Sequence, residues 1–293
     1  MERLEVLKTY KMYIGGKFPR TESGRYYTPE SPKGEAIGNI CLASRKDARN
    51  AVVAARKAFG GWSGRAAFNR GQILYRIAEM LEGRKAQFVE ELQLQGSTAD
   101  DARNEVYAAI DRLIYYAGWC DKYQQVSGGV NPVASSHFNF SVQESTGVVG
   151  VFADQSTSLI GLVSIIAPII AGGNTCVVIA SENLPLCSIT FAEVLNSSDV
   201  PGGVINLLTG KHDEIRKPLV THMDVNAVAY SGSDQEVRKE IELFAIDNLK
   251  RVRSYDNNWM SDDAEGLHFI NDFQEIKTTW HPIENIGGAT STY

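Results

Sequence analysis

What most constrains this chain is the alternation that begins at Gly147. Runs rich in Val and Ile at 147–153, 174–180, 203–208, 225–230 and 249–254 are separated by helical patterns near 158–171, 185–197, 211–220 and 234–247. Strands joined by whole helices pair parallel, because a crossover of that length brings the chain back to the same end of the sheet. The expectation is therefore an α/β fold with a doubly wound, Rossmann-like parallel sheet. Such sheets take ligands in the crevice outside the carboxyl ends of their strands. The stretch GVVGVFADQSTS, Gly147 to Ser158, runs from the first strand into that position, and its turn carries Asp154, Gln155 and Ser156.

Upstream the pattern differs. Alternating aromatic and polar residues from Tyr10 to Thr28, around Gly15–Gly16, predict a hairpin. A first helix follows with Ala48, Ala51, Val52 and Ala55 at helical spacing, a Ser44/Asp47 capping box at its start and Gly60–Gly61 at its end. A second carries Leu74, Ile77, Ala78 and Leu81 on one face, and a third spans about Ala102 to Tyr123 with Val106, Ala109, Ile110, Leu113 and Ala117 inward. SSHFNFSVQEST alternates and predicts one arm of a projecting strand pair.

Composition excludes several classes. At roughly 150 residues per domain, 293 residues allow two domains or one with appendages. With 43% hydrophobic and 22% charged residues the chain falls in the ordinary globular range. A formal charge of −6 without any block of Lys and Arg argues against nucleic acid. Cys41, Cys120, Cys176 and Cys187 lack C-x-x-C spacing, which predicts reduced thiols in a cytoplasmic setting rather than a disulfide framework or zinc. The start of the sequence has no apolar secretory core, and the run Leu159–Ile170 is too short to span a bilayer and contains Pro168, so no membrane segment is expected. His137, His212, His222, His268 and His281 have no metal spacing and read as surface residues, and Glu90–Glu91 and RKEIE read as solvated helix faces. Ser156 and Ser158 lack the G-x-S-x-G elbow of a hydrolase.

Several longer motifs occur in a fixed order: YIGGKF, SPKGEAIGNICLASRKDARNAVVAARKAFGGW and IDRLIYYAGWCDK, then GVVG, APIIAGGNTCVVI, VPGGVINLLTG, AYSGSDQEVRKEI and NLKRV. Together, over roughly residues 10–253, they resemble the aldehyde dehydrogenase superfamily. The resemblance implies oxidation of aldehydes with NAD(P), by a cysteine nucleophile on a separate catalytic domain, an asparagine oxyanion donor and a glutamate base.

Position by position, this chain departs from that pattern. Asp154, Gln155 and Ser156 stand where the family has Pro-Trp-Asn, so a serine replaces the oxyanion asparagine. Ile179 stands at the family's ribose-binding lysine, while the accompanying Glu182 remains. Ser231, Gly232 and Ser233 match the Gly-Ser turn that holds a pyrophosphate at a helix N-terminus, although Asp234 would cap that helix with or without ligand. Tyr255, Asp256, Asn257 and Asn258 replace Glu-Leu-Gly-Gly, which removes the base. No cysteine follows Cys187, and Cys176 and Cys187 read as core residues. After about Trp259 the chain passes to FQEIKTTWHPI, which resembles the family's C-terminal oligomerisation tail, a strand that crosses onto a neighbouring subunit.

These departures imply a shortened, catalytically inactive member, similar to the inactive half of two-module aldehyde dehydrogenases. Residues 1–124 and 147–259 would form the dinucleotide-binding-type domain, 125–146 a β-arm and 265–293 an oligomerisation segment, with the catalytic domain absent. No catalytic residue is expected; Gly232, Ser233 and Glu182 are the remaining cofactor-binding candidates, for NAD or NADP bound no tighter than about millimolar. A lysine restored at Ile179 is expected to improve that binding. The expected partners are a second copy or an active aldehyde dehydrogenase, with the arm and tail left as unpaired edges until a partner covers them. The alternative is an NAD(P)-binding module with residual oxidoreductase activity.

Overall fold

The computed structural model describes residues 6–283, in which the chain builds three sheets. β1 (Thr9–Tyr10), β2 (Tyr26–Tyr27) and β3 (Asn39–Cys41) form a small one, in the order β1-β3-β2. The expected hairpin is present only as its turn: Ile14 bridges Lys17 across Gly15 and Gly16, whose φ values of +60° and +79° suit glycine. Tyr26–Tyr27 pairs with β3 instead, and the Tyr13 backbone exchanges two 2.8 Å hydrogen bonds with Leu207, covering an edge of the main sheet.

Three long helices follow: α1 (Arg45–Ser63), α2 (Ala67–Leu94) and α3 (Ala99–Trp119). The Ser44/Asp47 capping box opens α1 as expected. Its end does not fall at Gly60–Gly61: the helix continues to Ser63, because Trp62 is buried and its indole N–H donates to the Ile170 carbonyl at 3.0 Å. Tertiary burial outweighs the low helix propensity of two glycines. α3 stops at Trp119, short of the expected end at Tyr123, and after a turn at 120–122 Tyr123 opens a separate short helix, α4 (Tyr123–Ser127).

β4 (Gly129–Asn131) and β5 (His137–Ser145) lead into the main sheet. Its strands and crossovers alternate: β6 (Val148–Phe152), α5 (Ile160–Ala171), β7 (Thr175–Ile179), α6 (Leu186–Asn196), β8 (Ile205–Leu208), α7 (His212–Val220), β9 (Ala227–Ser231), α8 (Gln235–Ala245) and β10 (Arg251–Tyr255). All five strands are parallel, in the order β10-β9-β6-β7-β8. This is the α/β, doubly wound sheet that the alternation predicts. Successive strand residues feed opposite cores: Val149, Val151, Cys176 and Val178 face α5 and α6, with α2 and α3 outside them, while Val148, Phe152, Val177 and Ile179 face α1, α7 and α8. All twelve residues of α5 are buried, Pro168 included.

After β10, residues 256–273 fold over α5 and α3 through the short helix α9 (Leu267–Asn271). Arg112 of α3, 5% exposed, fastens them by donating to the carbonyls of Trp259 and Ala264 and pairing with Glu265 at 3.0 Å. β11 (Gln274–Pro282) then pairs antiparallel with β5 at nine positions, from Gln274↔Ser145 to Pro282↔His137, while β4 flanks β5 on its other side. This corrects the expectation for the tail. Its strand is not an unpaired edge but pairs with the arm within one chain, so β5 is flanked on both sides while β11 keeps one edge open. Residues 1–5 of the expected first domain and 284–293 of the expected tail lie outside the described residues.

Candidate functional site

The sheet order makes β6 the switch strand, since the connections from β6 and from β8 run to opposite sides of it. A crevice is expected where those connections part, at the carboxyl ends of β6 and β9. There the structure has a cavity of about 670 Å³ lined by Ala153–Ser156, Glu182, Asn183, the start of α7, the turn from Tyr230 to Asp234, and Asp256–Asn257. It brings together Asp154, Gln155, Ser156, Glu182, Gly232 and Ser233, as the sequence pattern implies.

The side chains of Asp154, Gln155 and Ser156 are already engaged with other parts of the protein. One oxygen of Asp154 accepts from the backbone N–H and hydroxyl of Ser156, at 3.1 and 2.6 Å, and from those of Thr157, both at 2.9 Å. The Ser156 hydroxyl therefore points back at a carboxylate rather than into the crevice. Gln155 ties two strand ends together, donating to the Ala153 carbonyl at 2.9 Å and accepting from the Glu182 N–H at 2.9 Å. Next along the chain, a single oxygen of Glu105 accepts from the N–H groups of Ser158, Leu159 and Ile160 at 3.1, 2.7 and 3.2 Å. A side chain of α3 thus fills the N-terminus of α5, where unpaired amides would otherwise hold an anion. Burial pushes the Glu105 carboxyl above its ordinary range.

The three cofactor candidates line the crevice, and the groups beside them are spent in the same way. Glu182 accepts from the backbone N–H of His212 at the start of α7 and pairs with Lys211 at 3.0 Å. The Gly232 N–H donates to the Tyr255 carbonyl at 2.9 Å, and past Ser233 the Asp234 carboxylate accepts from the N–H groups of Glu236 and Val237, so α8 carries its own anionic cap. Tyr255 donates its phenol proton to Asp272 at 2.9 Å, and burial pushes that phenol far above its usual value. Its ring packs with Trp259 and Phe269, at centroid distances of 6.2 and 5.1 Å. Five carboxylates line the crevice, Asp154, Glu182, Asp213, Asp234 and Asp256, against the single guanidinium of Arg216. Arg216 is in turn held by Asp213 and Glu240.

Four sequence-based expectations need correction here. Ile179 does not open on the crevice: it is fully buried in the core under α1 and α7. A lysine there would place an ammonium among aliphatic side chains, at a cost of several kcal/mol, rather than restore a ribose contact. His212 is not a surface residue; it is 8% exposed, with Nε2 2.8 Å from the Ala180 carbonyl oxygen. Glu91 is not on a solvated face either. It is 5% exposed and accepts from Tyr10 at 3.0 Å and Thr190 at 2.6 Å, and burial raises its pKa. A signal for Glu91 was present, because it stands three residues after Phe88 on the apolar stripe of α2. The tail, as described above, is paired within the chain.

All four cysteines are free and buried. Burial pushes the thiols of Cys176 and Cys187 well above their ordinary value and that of Cys120 up to about 12, so none of these three is a thiolate nucleophile at neutral pH.

Known proteins give the same picture of kinship. The aldehyde dehydrogenase family profile matches residues 19–254. The Bacillus subtilis protein DhaS is 32% identical over 249 residues, which cover 83% of this chain and 50% of DhaS. The cytosolic 10-formyltetrahydrofolate dehydrogenase of Mus musculus is 30% identical over 258 residues, 86% of this chain and 29% of that protein. Among solved structures, an NAD+ complex of a Bacillus cereus aldehyde dehydrogenase superimposes with a TM-score of 0.80 at 26% identity, covering 84% of this chain and 50% of that one. The chain spans about half the length, or less, of the curated relatives it matches.

Proposed function

Since the chain belongs to the aldehyde dehydrogenase family, we propose that it is a non-catalytic member, a structural or regulatory subunit that assembles with itself or with an active aldehyde dehydrogenase. The observation that carries this reading is the state of the crevice. Asp234 caps the helix N-terminus on it and Glu105 that of the neighbouring α5, its walls hold five carboxylates against one guanidinium, and Ser156 donates to Asp154. A dinucleotide brings two phosphate charges, and at an effective dielectric near 20 each unscreened like-charge contact at 4 Å costs about 4 kcal/mol. Occupancy would require the protein to give up its own caps first.

The course of the chain supports the same reading. Only residues 256–273 separate β10 from β11, and they are packed against α3 and α5. They leave no room between those strands for a second domain of the size that the rest of the relatives' length implies. Arg112, Trp259, Phe269 and Tyr255 close the place from which one would leave. For assembly, the sheet of β4, β5 and β11 offers one apolar face, with Val130 at 65% and Phe138 at 48% exposed and Phe140 stacked on His281. Exposed apolar area of that kind marks an interface.

The deciding experiment is calorimetric titration with NAD and NADP, alongside an assay of NAD(P)H production from a panel of aldehydes. The expected outcome is a dissociation constant no tighter than about 1 mM for either nucleotide and no turnover. Micromolar binding with steady turnover would establish the residual oxidoreductase instead.

A further inference from the structure

We infer that a groove between α1 and α7, separate from the crevice, is an anion site that takes a soluble phosphate ester or polyphosphate. The groove, of about 710 Å³, is lined by Arg45, Lys46, Arg49, Lys217 and His222 together with Pro218 and Thr221, and no carboxylate lines it. In a chain with a net charge of −6, that local balance is unusual.

The cations are also mostly unpaired. Lys46 meets Glu22, but among the described residues Arg45, Arg49 and Lys217 have no carboxylate partner, and Lys217 lies 5.5 Å over the Phe244 ring. Arg45 and Arg49 are one helical turn apart, so their forks project from the same face of α1. Arg45 and Lys46 occupy the first turn of α1, where the helix already carries about half a positive charge. Asp47 opposes that charge, but its oxygens accept from Thr21 at 2.7 Å and from the Ser44 N–H and hydroxyl at 2.7 and 2.8 Å.

A further unpaired cation lies outside the groove lining but close enough to act on the charge of His222. Lys250 is 8% exposed, and its ammonium has no hydrogen-bond partner among the described residues. Burial, with Lys250, Arg49 and Arg56 adding their charge against that of Asp224, pushes His222 below its ordinary pKa. So much uncompensated positive charge costs stability that a bound anion returns. Paired guanidinium forks match the oxygens of a phosphate, with lysines adding charge. α7 divides its side chains between the two sites, with Asp213 and Arg216 on the crevice and Lys217 and Pro218 on the groove, so an occupant of one leaves the other free.

The test is titration of inorganic tripolyphosphate into the purified chain at fixed ionic strength, with chloride as the matched control, followed by calorimetry and by the imidazole NMR signals of His222. The expected result is one saturable site that moves the His222 signals, with affinity reduced at least about tenfold in an Arg49→Glu/Lys217→Glu variant. An Arg238→Glu variant, altered on the far surface of α8, should bind as the native chain does. If the charge-reversed variant does not fold, Arg49→Gln/Lys217→Gln should show the same direction of change. The inference is overturned if His222 does not respond, if chloride reproduces the response, or if the groove variants bind unchanged. It is equally overturned if vesicles containing phosphatidylinositol phosphates bind while tripolyphosphate does not.

Discussion

The imidazole of His212 is kept neutral by burial, which outweighs the opposing pull of the Ala180 carbonyl beside Nε2 and of the Glu182 carboxylate. Its folded pKa lies below the unfolded value of about 6.5, so the unfolded chain binds more protons between the two. Stability from this group is therefore fully present above about pH 6.5 and is lost as the pH falls through the folded value. Replacing His212 with Gln removes that dependence. Thermal melts of both proteins from pH 8 to 5 should show the native chain losing more stability over the acid part of the range than His212→Gln; parallel curves would disprove the assignment. The sequence alone could not place this residue, because its ring packs against Phe152 of β6, 5.6 Å away between centroids and distant in the chain. The site positions Asp154, Gln155 and Ser156 were legible from strand-to-turn patterning. Their engagement was not, since it depends on Glu105 and Glu182 from distant parts of the chain.

Elements were easier to read than their ends. Four of the five strands of the main sheet are visible as apolar runs, because strands buried on both faces must be apolar throughout, whereas β10 lies at the sheet edge and carries Arg251 and Arg253. The termini of α1 and α3 were misjudged where a single buried aromatic, Trp62, or a change of direction after Trp119 overrode local propensity. β11 was legible as a strand, but its partner was not: alternation fixes which side chains share a face and says nothing about which edge is met. The nine-position pairing leads to an element-scale expectation. In a variant ending at Phe273, backbone amides of β5 should exchange with deuterium about ten times faster or more, while those of β6, inside the parallel sheet, keep their protection. Unchanged exchange in β5 would show that β11 does not hold it.

For the molecule as a whole, the acidic crevice and the outward apolar face of the arm are independent surfaces, and only the second bears on assembly. Phe138 is half exposed on that face and 5.7 Å from Phe140. Phe138→Lys should shift the sedimentation profile at micromolar concentration toward the monomer and leave the circular dichroism spectrum unaltered; a native chain that already sediments as a monomer would remove self-assembly from the proposal.

The pairing of β11 with β5 also has a chronology. Gln274 meets Ser145 across 128 intervening positions of chain, and all of β6 to β10 lies between them. At roughly 5–20 residues per second, a ribosome takes about 6–26 s to cover that distance. Through that interval β5 has only β4 beside it, while the strands and helices of the main sheet emerge and collapse. The arm is therefore the last sheet to close during synthesis, so the surface that would join two copies is completed only after each copy's own interior is in place.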